Sequence, residues 1–391
     1  RLTSAPVSGS VPALIVATEA SGDHHGAALA ASLPRHLPVQ WFGIGGDAMA
    51  EAGVELVAHA REFSVLGIFE VIRHYFRLYP VFRHLLAEID RRRPRFAVLI
   101  DSPGLNLHVA RQLHRRGIPV IYFIPPQVWA WRRHRVKLLR RYTRKVICIF
   151  PFEEDFFRRA GVDADYVGHP LVDSARPSLS REEFYHRYQL DPHRPTVALL
   201  PGSRNQELAR HLPPLLEAAQ RLERQQPVQF CLVQASTVDP ALLARLLEPA
   251  RNLSLTVVRD TSYNVLAHSD VAAISSGTAT VEALLLEIPM VVVYRVASPS
   301  WWVGKVLIRT PHYSMVNLIA GQRLVPELIQ NDFTPERVFA EISRLLNDPS
   351  ARRRIQTELG RVKQRLGPPG AIERVSRLVT NLMQTPATVE P

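Results

Sequence analysis

Residues 271–282 read Val-Ala-Ala-Ile-Ser-Ser-Gly-Thr-Ala-Thr-Val-Glu. The first four form a short apolar run without alternation, which predicts a strand covered on both faces. Small hydroxylated residues and a glycine follow directly, and the spacing after them is helical. The stretch therefore predicts a strand that turns at once into a helix, the unit from which parallel sheets are built.

The same pattern recurs along the whole chain. Short Val- and Ile-rich runs, separated by longer segments with helical spacing, occupy residues 13–16, 96–100, 120–124, 146–149, 197–200, 230–233, 255–258 and 290–293. Strands that alternate with helices indicate βαβ units. The predicted fold class is therefore α/β, with two doubly wound, Rossmann-like parallel sheets.

A proline-rich segment separates the two sets of strands. Residues 174–195 contain three prolines and a helix-capping pattern, which predicts a linker that holds one short helix. The predicted domains are residues 1–175 and 176–370. A last helix, predicted over residues 371–386, can pack back on the first domain.

The composition is that of a folded globular protein. The chain has 391 residues, of which 46% are hydrophobic and 21% charged, so a disordered tail or a fibrous repeat is excluded. Lys and Arg exceed Asp and Glu by 48 − 36 = +12. This excess predicts attraction to a phosphorylated small molecule, a nucleic acid or a lipid headgroup surface, and charge does not choose among them.

Cysteine usage and hydropathy indicate the compartment. Cys148 and Cys231 each lie in an apolar run, so both are predicted to be buried strand thiols in a reducing environment. No run reaches the length of about 18 apolar residues that a membrane span needs. Residues 2–18 resemble a frayed end that leads into a first strand more than a signal peptide. We therefore expect a cytoplasmic protein.

The strand end after residue 274 carries phosphate-type chemistry. In open parallel sheets, ligands bind at the carboxyl ends of the strands, where helix N-termini offer N–H groups. The backbone and hydroxyl groups of Ser276, Gly277 and Thr278 suit a diphosphate, and Glu282 can accept hydrogen bonds from ribose hydroxyls. The alternative is ordinary helix capping with Glu282 as a solvated carboxylate.

A second strand end in the same half has similar chemistry. After residue 200, Gly202 and Ser203 form a turn that lets the backbone approach a phosphate, and Arg204 adds a guanidinium suited to bidentate contact. A surface turn with a solvated arginine is the alternative for this motif alone. Two such strand ends in one half of the chain favour a nucleotide diphosphate site in the second domain.

The strand ends of the first domain carry acids instead. Glu19, Ser21 and Asp23 follow the first strand, and this acidic turn suits hydroxyl-rich ligands such as sugars better than a pyrophosphate. Asp101 ends the strand at residues 96–100, where partial burial can raise the pKa of a carboxyl enough for general-base catalysis. Capping of the next turn is the alternative for Asp101.

Two further loops carry weaker signals. Residues 42–46, Phe-Gly-Ile-Gly-Gly, are predicted to form a plain turn with a close backbone approach. The loop at residues 124–131 is polar and aromatic, so Gln127 and its neighbours suit a sugar or an acyl chain. Trp129 and Trp131 fit a core equally well.

Taken in order, these motifs resemble those of the lipid-A-disaccharide synthase family, from about residue 13 to about residue 330. The motifs are Glu19-Ala-Ser-Gly-Asp23, Phe42-Gly-Ile-Gly-Gly46, Asp101-Ser-Pro-Gly-Leu-Asn106, Pro126-Gln-Val-Trp-Ala-Trp131, Gly168-His-Pro170, Leu200-Pro-Gly-Ser-Arg204, Ser276-Gly-Thr278 with Glu282, and Asn317-Leu-Ile-Ala-Gly321. The resemblance implies the GT-B glycosyltransferase fold, with two Rossmann-like domains facing across a cleft. It also implies an inverting transfer of 2,3-diacylglucosamine from UDP to the 6-hydroxyl of 2,3-diacylglucosamine 1-phosphate, which gives a β(1→6) disaccharide and UDP.

The resemblance further implies roles for individual residues. Asp101 would be the catalytic carboxylate, and Arg204 would stabilise the departing UDP. The implied ligand contacts are Glu282 at the ribose, Ser276–Thr278 at the phosphates, Asn317 near the nucleotide and Glu19 near the reacting sugars.

The chain departs from the usual family pattern at four positions. They are Thr18 in place of Gly, Leu105 in place of an aromatic, Pro125 in place of Ser, and Val316 in place of the Pro before the Asn. None of these changes removes a charged or catalytic group. The change at Val316 affects the geometry of the loop around Asn317.

Two segments predict contact with a membrane surface. Residues 132–145 contain eight Lys or Arg and no acid. Residues 65–86 form an aromatic, amphipathic pattern interrupted by Pro80, in which Phe69 and Phe76 face lipid. The alternatives are a solvated helix face and packing against the sheet. Because diacylated substrates stay in a bilayer, we expect the first domain to dock on the cytoplasmic face of the inner membrane.

No cofactor and no metal are predicted, because Asp163-Ala-Asp165 precedes a strand at residues 166–168 and lies at the wrong strand end for a diphosphate. A UDP-sugar 2-epimerase of the same fold is the rival enzyme. A nucleic-acid-binding protein is disfavoured by the lack of zinc spacings and RNA-binding motifs, and a nicotinamide dehydrogenase by the lack of Gly-x-Gly-x-x-Gly. A homodimer is compatible with the sequence, which does not specify an oligomeric state.

Overall fold

The structure, a computed structural model, describes residues 9–63, 71–127, 135–259, 261–296 and 312–385, except for the side chains of residues 71–78. The chain forms two compact units, Arg1–Pro170 with Pro368–Pro391, and Leu171–Gly367. They divide slightly before residue 175, because the short helix Leu171–Ser174 packs against the helix Thr278–Leu285 of the second unit.

The first unit is an α/β layer structure built on one parallel sheet. Its strands are β1 (Val11–Val16), β2 (Val39–Gly45), β3 (Glu55–His59), β4 (Ala97–Ile100), β5 (Val120–Phe123), β6 (Lys145–Cys148) and β7 (Ala164–Tyr166). Its helices are α1 (Ala20–Ser32), α2 (Asp47–Glu51), α3 (Val71–Arg92), α4 (Pro103–Arg115), α5 (Val136–Tyr142), α6 (Pro151–Arg159) and, after the second unit, α16 (Ala371–Gln384). The sheet order is β3-β2-β1-β4-β5-β6-β7.

The second unit repeats this architecture. Its strands are β8 (Thr196–Leu200), β9 (Gln229–Val233), β10 (Leu255–Val258), β11 (Val271–Ser275), β12 (Met290–Tyr294) and β13 (Glu327–Ile329), in the order β10-β9-β8-β11-β12-β13. Its helices are α7 (Leu171–Ser174), α8 (Arg181–Tyr188), α9 (Asn205–Gln225), α10 (Pro240–Leu247), α11 (Ser262–Ala267), α12 (Thr278–Leu285), α13 (Met315–Ala320), α14 (Pro335–Asn347) and α15 (Pro349–Lys363). The strands of both sheets pair in parallel, which confirms the predicted α/β fold class.

Burial explains the unbroken apolar runs. Every residue of β4, β8 and β11 is buried, because helices cover both faces of each sheet. Burying one Val, Leu or Ile side chain contributes about 1.5–3 kcal/mol, so these strands are the most stable part of each unit. Cys148 and Cys231 are fully buried in β6 and β9, as predicted.

Three helices bear on expectations from the sequence. The predicted helix of the linker is α8, where Ser180 Oγ accepts from Glu183 N at 3.2 Å and Glu183 Oε2 accepts from Ser180 N at 2.8 Å. Helix α16 packs on α1, and its Ser376 hydroxyl donates to Ser32 Oγ at 2.9 Å. Pro80 lies inside α3 and does not interrupt it, contrary to the expectation from the sequence.

The strand order of each sheet reverses direction once. In the first unit the reversal lies between β1 and β4, and in the second unit it lies between β8 and β11. Ligands of doubly wound sheets bind outside the carboxyl ends of the strands at such a reversal. The segments that follow these four strands are therefore the positions to inspect for a site.

Candidate active site

The turn after β4 has an unusual backbone. Asp101 and Ser102 have φ angles of +49° and +46°, and Ile124, after the neighbouring β5, has a φ of +61°. Each non-glycine residue in this left-handed region costs about 1–2 kcal/mol. Such strain persists only where the surroundings enforce it, and it clusters at functional sites. Half-buried Asp101 therefore lies in the most strained described turn of the first sheet.

Buried side chains hold this turn. Asn106, on α4, donates from Nδ2 to the carbonyl oxygens of Ile100 and Asp101, each at 2.9 Å. The Tyr122 hydroxyl donates to the same Asp101 carbonyl at 2.6 Å. Complete burial, followed by the Asp101 charge, raises the pKa of Tyr122, so the hydroxyl keeps its proton. Sequence reasoning gave no separate role to Asn106 and missed Tyr122, which looks like an ordinary strand residue.

The end of β1 is tied to the same turn. Thr18 is buried, and its hydroxyl donates to Ser102 Oγ at 2.6 Å. Glu19 is half-buried at the start of α1 and makes no capping bond there, and Ser21 is half-buried at the second position of the helix. Glu19 and Ser21 thus lie at the carboxyl end of β1, where the sequence predicted contact with sugars.

The Asp23 carboxylate has a structural task. Its carboxylate accepts from the backbone N–H groups of Gly46 at 2.6 Å, Ala48 at 3.1 Å and Met49 at 3.2 Å. These bonds cap α2, and Asp23 is only 7% exposed, so its carboxylate is held by the backbone at the start of that helix. A Cβ atom at Gly46 would lie 2.5 Å from Asp23 Oδ2, which explains the glycine. Residues 42–45 are strand, not the predicted turn.

Two buried histidines lie near this edge and were missed. His25 and His169 are 9% and 2% exposed, and their ring centroids are 6.5 Å apart. Burial lowers the pKa of His25 to about 4 and that of His169 to about 3, so both are neutral at pH 7. The motif Gly168-His-Pro170 was the only signal in the sequence.

The remaining predicted residue of the first unit is Gln127. It is exposed and follows two buried prolines after β5. The rest of that loop, including Trp129 and Trp131, lies outside the described residues. So do residues 132–134 of the basic segment, Phe69, and the side chain of Phe76.

In the second unit, the loop after β8 is held on two sides. Gly202 has a φ of +124°, and the Glu207 carboxylate accepts from Ser203 N at 3.2 Å. The carbonyl of Ser203 accepts from the Thr237 hydroxyl at 2.5 Å. Arg204 is the N-cap residue of α9 and makes no capping bond with its side chain, which is 61% exposed and lies 3.5 Å from Glu207. The loop is therefore ordered, and its guanidinium faces solvent.

The buried side chain of His211 contacts the backbone next to this loop. His211 Nδ1 lies 2.8 Å from the carbonyl oxygen of Pro201, and Arg295 N donates to Nε2 at 2.9 Å. Nε2 also lies 3.1 Å from the carbonyl oxygen of Arg295, so backbone groups engage both ring nitrogens. Burial lowers the pKa of His211, which favours the neutral ring. Sequence reasoning missed His211.

The loop after β11 has the predicted strand-to-helix geometry. Gly277 is the N-cap of α12, and no side chain of the described residues caps this helix. Ser276 Oγ lies 3.3 Å from the carbonyl of Tyr313, and Thr278 is exposed at the first helical position. Ser275 Oγ is buried, with no partner in the described part of the chain. Hydroxyl and backbone donors thus cluster at one helix start.

Glu282 lies on α12, half-buried, and its Oε2 accepts from the Ser262 hydroxyl at 2.6 Å. Burial raises the pKa of Glu282, and the bond from Ser262 opposes this rise. A partly desolvated carboxylate is a strong acceptor for further hydroxyl groups.

Asn317, which the resemblance places near the nucleotide, is engaged with its own loop. It is fully buried, its Oδ1 accepts from Leu324 N at 2.8 Å and Val325 N at 3.0 Å, and its Nδ2 donates to Val325 O at 3.0 Å. The side chain therefore folds the loop between α13 and β13.

Asp163 and Asp165, to which the sequence analysis assigned no metal, pair with a lysine. Lys145 Nζ lies 2.6 Å from Asp163 and 2.8 Å from Asp165, and Asp165 belongs to β7 instead of preceding the strand.

The fold and the strand-end loops define a class, the GT-B glycosyltransferases. The structure is similar to the calicheamicin glycosyltransferase, with a TM-score of 0.61 and 16% identity over 97% of this chain and 99% of that one. It is also similar to UDP-GlcNAc 2-epimerase from Neisseria meningitidis bound to UDP-GlcNAc, with a TM-score of 0.65 and 9% identity over 95% of this chain and 100% of that one. At these identities the likeness shows the fold alone.

The sequence comparisons are more specific. The family described as lipid-A-disaccharide synthetase matches residues 13–371. Lipid-A-disaccharide synthase from Solibacter usitatus is 44% identical over 377 residues, 96% of this chain and 98% of that protein. The protein of the same name from Geobacter sulfurreducens is 43% identical over 372 residues, 95% of this chain and 97% of that protein. The chain therefore belongs to the lipid-A-disaccharide synthase family.

Proposed function

We propose that this chain transfers 2,3-diacylglucosamine from UDP-2,3-diacylglucosamine to the 6-hydroxyl of 2,3-diacylglucosamine 1-phosphate. The products are the β(1→6) lipid A disaccharide 1-phosphate and UDP. One observation supports the proposal most. This chain belongs to the lipid-A-disaccharide synthase family, and its two phosphate-type loops, after β8 and β11, lie where the strand order of the second unit reverses. The alternative interpretation, a UDP-sugar 2-epimerase, is supported by the shared fold only.

The second unit is proposed to hold UDP. The backbone of Gly202, Ser203 and Ser276–Thr278 would donate to the diphosphate, as helix starts do for anions. Arg204 would compensate the charge that develops on the departing UDP. The carboxylate of Glu282 would accept from the ribose hydroxyls.

The first unit is proposed to supply the base. Attack on the anomeric carbon opposite the leaving group requires a group that takes the proton of the acceptor hydroxyl. Asp101 is the proposed acceptor of that proton, because it lies at the strand-order reversal in a strained turn. Glu19, Ser21 and Gln127 would contact the reacting sugars.

The test compares the unaltered chain with Asp101→Ala and Arg204→Ala. Both substrates are supplied, and release of UDP is followed over time. We expect each substitution to lower kcat/KM by at least about a hundredfold, since each removes a group that acts in the transition state. Asp155→Ala and Arg251→Ala, which alter exposed residues, are the matched controls and should leave the rate unchanged. Full activity of Asp101→Ala would refute the assignment of the base.

The membrane location is proposed from the substrates and from the surface of the first unit. No helix in the described ranges is long and apolar enough to span a bilayer. Helix α5 carries exposed Lys137, Arg140 and Arg141, which suit an anionic headgroup layer on the cytoplasmic face of the inner membrane.

Vesicles test this location. The full chain should sediment with vesicles of anionic phospholipid at low salt and be released by salt, because headgroup attraction is screened. Phe69→Ser with Phe76→Ser should weaken sedimentation without unfolding the chain. Sedimentation that the double substitution leaves unchanged would refute docking through residues 65–86. Equal binding to DNA would instead favour the nucleic-acid alternative.

A further inference from the structure

Three buried hydrogen-bonding side chains meet at the turn that carries Asp101. We propose that Thr18, Asn106 and Tyr122 are positioning residues for the transfer, which act by fixing the direction of the Asp101 side chain. The inference rests on the proposed role of Asp101 as the base. None of the three side chains needs to touch a substrate.

The peptide groups on both sides of the Asp101 Cα are pinned. Its carbonyl oxygen accepts from Asn106 Nδ2 at 2.9 Å and from the Tyr122 hydroxyl at 2.6 Å, which uses both lone pairs. Its N–H lies 3.3 Å from the carbonyl oxygen of Phe123 and 3.2 Å from that of Ile124, beyond β5. Because both flanking peptide planes are held, φ and ψ of Asp101 are set, and with them the direction of the Cα–Cβ bond.

The side-chain amide of Asn106 is oriented so that its nitrogen donates hydrogen bonds and its oxygen accepts none within the described residues. Nδ2 makes two bonds to carbonyl groups, whereas Oδ1 is buried without a partner in the described part of the structure. An unsatisfied buried acceptor is unfavourable. This cost is explained if the turn requires the two bonds that Asn106 Nδ2 donates. One of them goes to Asp101, which has the left-handed backbone, and the other goes to Ile100, the residue before it.

Thr18 adds a hydrogen bond between two strand ends. Its hydroxyl donates to Ser102 Oγ at 2.6 Å and joins the end of β1 to the end of β4, the two strands at the reversal. Ser102 is itself left-handed, with a φ of +46°. Thr18 therefore adds a side-chain bond to Ser102, whose carbonyl oxygen also accepts from Asn106 N at 3.0 Å.

The test uses substitutions that remove one hydroxyl and keep the shape. Tyr122→Phe and Thr18→Val remove the donors, and Thr18→Ser keeps the hydroxyl as the conservative control. For each full-length variant, kcat, KM for both substrates, UDP affinity by calorimetry and the thermal midpoint are measured. UDP affinity reports the second unit, which these substitutions do not touch.

We expect Tyr122→Phe and Thr18→Val to lower kcat about ten- to a hundredfold, because a misplaced catalytic group costs rate and not binding. KM and UDP affinity should stay unchanged, the thermal midpoint should fall by no more than about 2–4 °C, and Thr18→Ser should retain the rate of the unaltered chain. Unchanged kcat in both donor-less variants, with Asp101→Ala inactive, would overturn the positioning role alone. A loss of kcat matched by loss of folded protein would also overturn it, in favour of a purely structural role. An inactive unaltered chain would refute the proposed function itself.

Discussion

Single carboxylates in equivalent places have different surroundings. Asp23 and Asp101 both follow strands of the first sheet, but three backbone N–H groups occupy the Asp23 carboxylate. The turn that carries Asp101 is held through its backbone, because the Asp101 carbonyl oxygen accepts from Asn106 and Tyr122. The Glu282 carboxylate accepts from the Ser262 hydroxyl. The three acids therefore differ in which of their groups the neighbouring donors hold.

The buried histidines give a prediction for pH. His25 and His169 have pKa values lowered to about 4 and about 3 by burial, whereas both would titrate near 6.5 in the unfolded chain. Below pH 6.5 the unfolded state therefore binds more protons, and the stability of the first unit falls as the pH is lowered. Each histidine contributes a loss of roughly 1.4 kcal/mol per pH unit until its folded pKa is reached.

Denaturant unfolding of the full chain between pH 7 and pH 5 measures this slope. Replacing both residues, His25→Gln with His169→Gln, should flatten the dependence, while His186→Gln at an exposed position should not. A slope that is the same in all three chains would show that the pair is not the cause.

At the scale of elements, the loop between α13 and β13 depends on one side chain. Asn317→Ala removes three hydrogen bonds and leaves the N–H groups of Leu324 and Val325 without their acceptor. We expect the free energy of unfolding of the second unit to fall by about 3 kcal/mol. Asn347→Ala, at the exposed end of α14, should change it by less than about 0.5 kcal/mol. Equal effects of the two substitutions in a denaturant titration would contradict the assigned role of Asn317.

Most strands that could be predicted are buried on both faces, and the edge strand β10 was predicted because residues 255–258 still form a Val-rich run. The apolar runs at residues 97–100 and 271–275 are continuous because no face of β4 or β11 meets water. Strands β3 and β13 were not predicted, since Glu55–His59 and Glu327–Ile329 lie at sheet edges and contain polar residues. Their place is determined by pairing with a neighbour, which a local pattern does not contain.

The same distinction holds for the site. Strand-end positions of Asp101, Arg204 and Ser276 follow from a local pattern and the topology of doubly wound sheets. The tasks of Asp23 and Asn317 depend on partners more than twenty residues away or across a loop, Gly46 in one case and Val325 in the other. Buried His211 and Tyr122 were missed because nothing in their local sequence separates them from core residues.

At the scale of the whole molecule, two units of the same architecture have strand ends of opposite chemistry. The first sheet presents acids and a braced turn, and the second presents hydroxyl groups, helix starts and an arginine. This division matches the needs of an inverting transfer, in which one partner loses a proton and the other leaves as a diphosphate.

The products of a single incubation test this account most directly. The full chain is supplied with UDP-2,3-diacylglucosamine, with and without 2,3-diacylglucosamine 1-phosphate, and released UDP and the anomeric configuration of any disaccharide are determined by NMR. We predict equal amounts of UDP and a β(1→6)-linked disaccharide, formed only when the acceptor is present. Release of UDP or epimerisation of the donor without acceptor, or an α-linked product, would contradict the account.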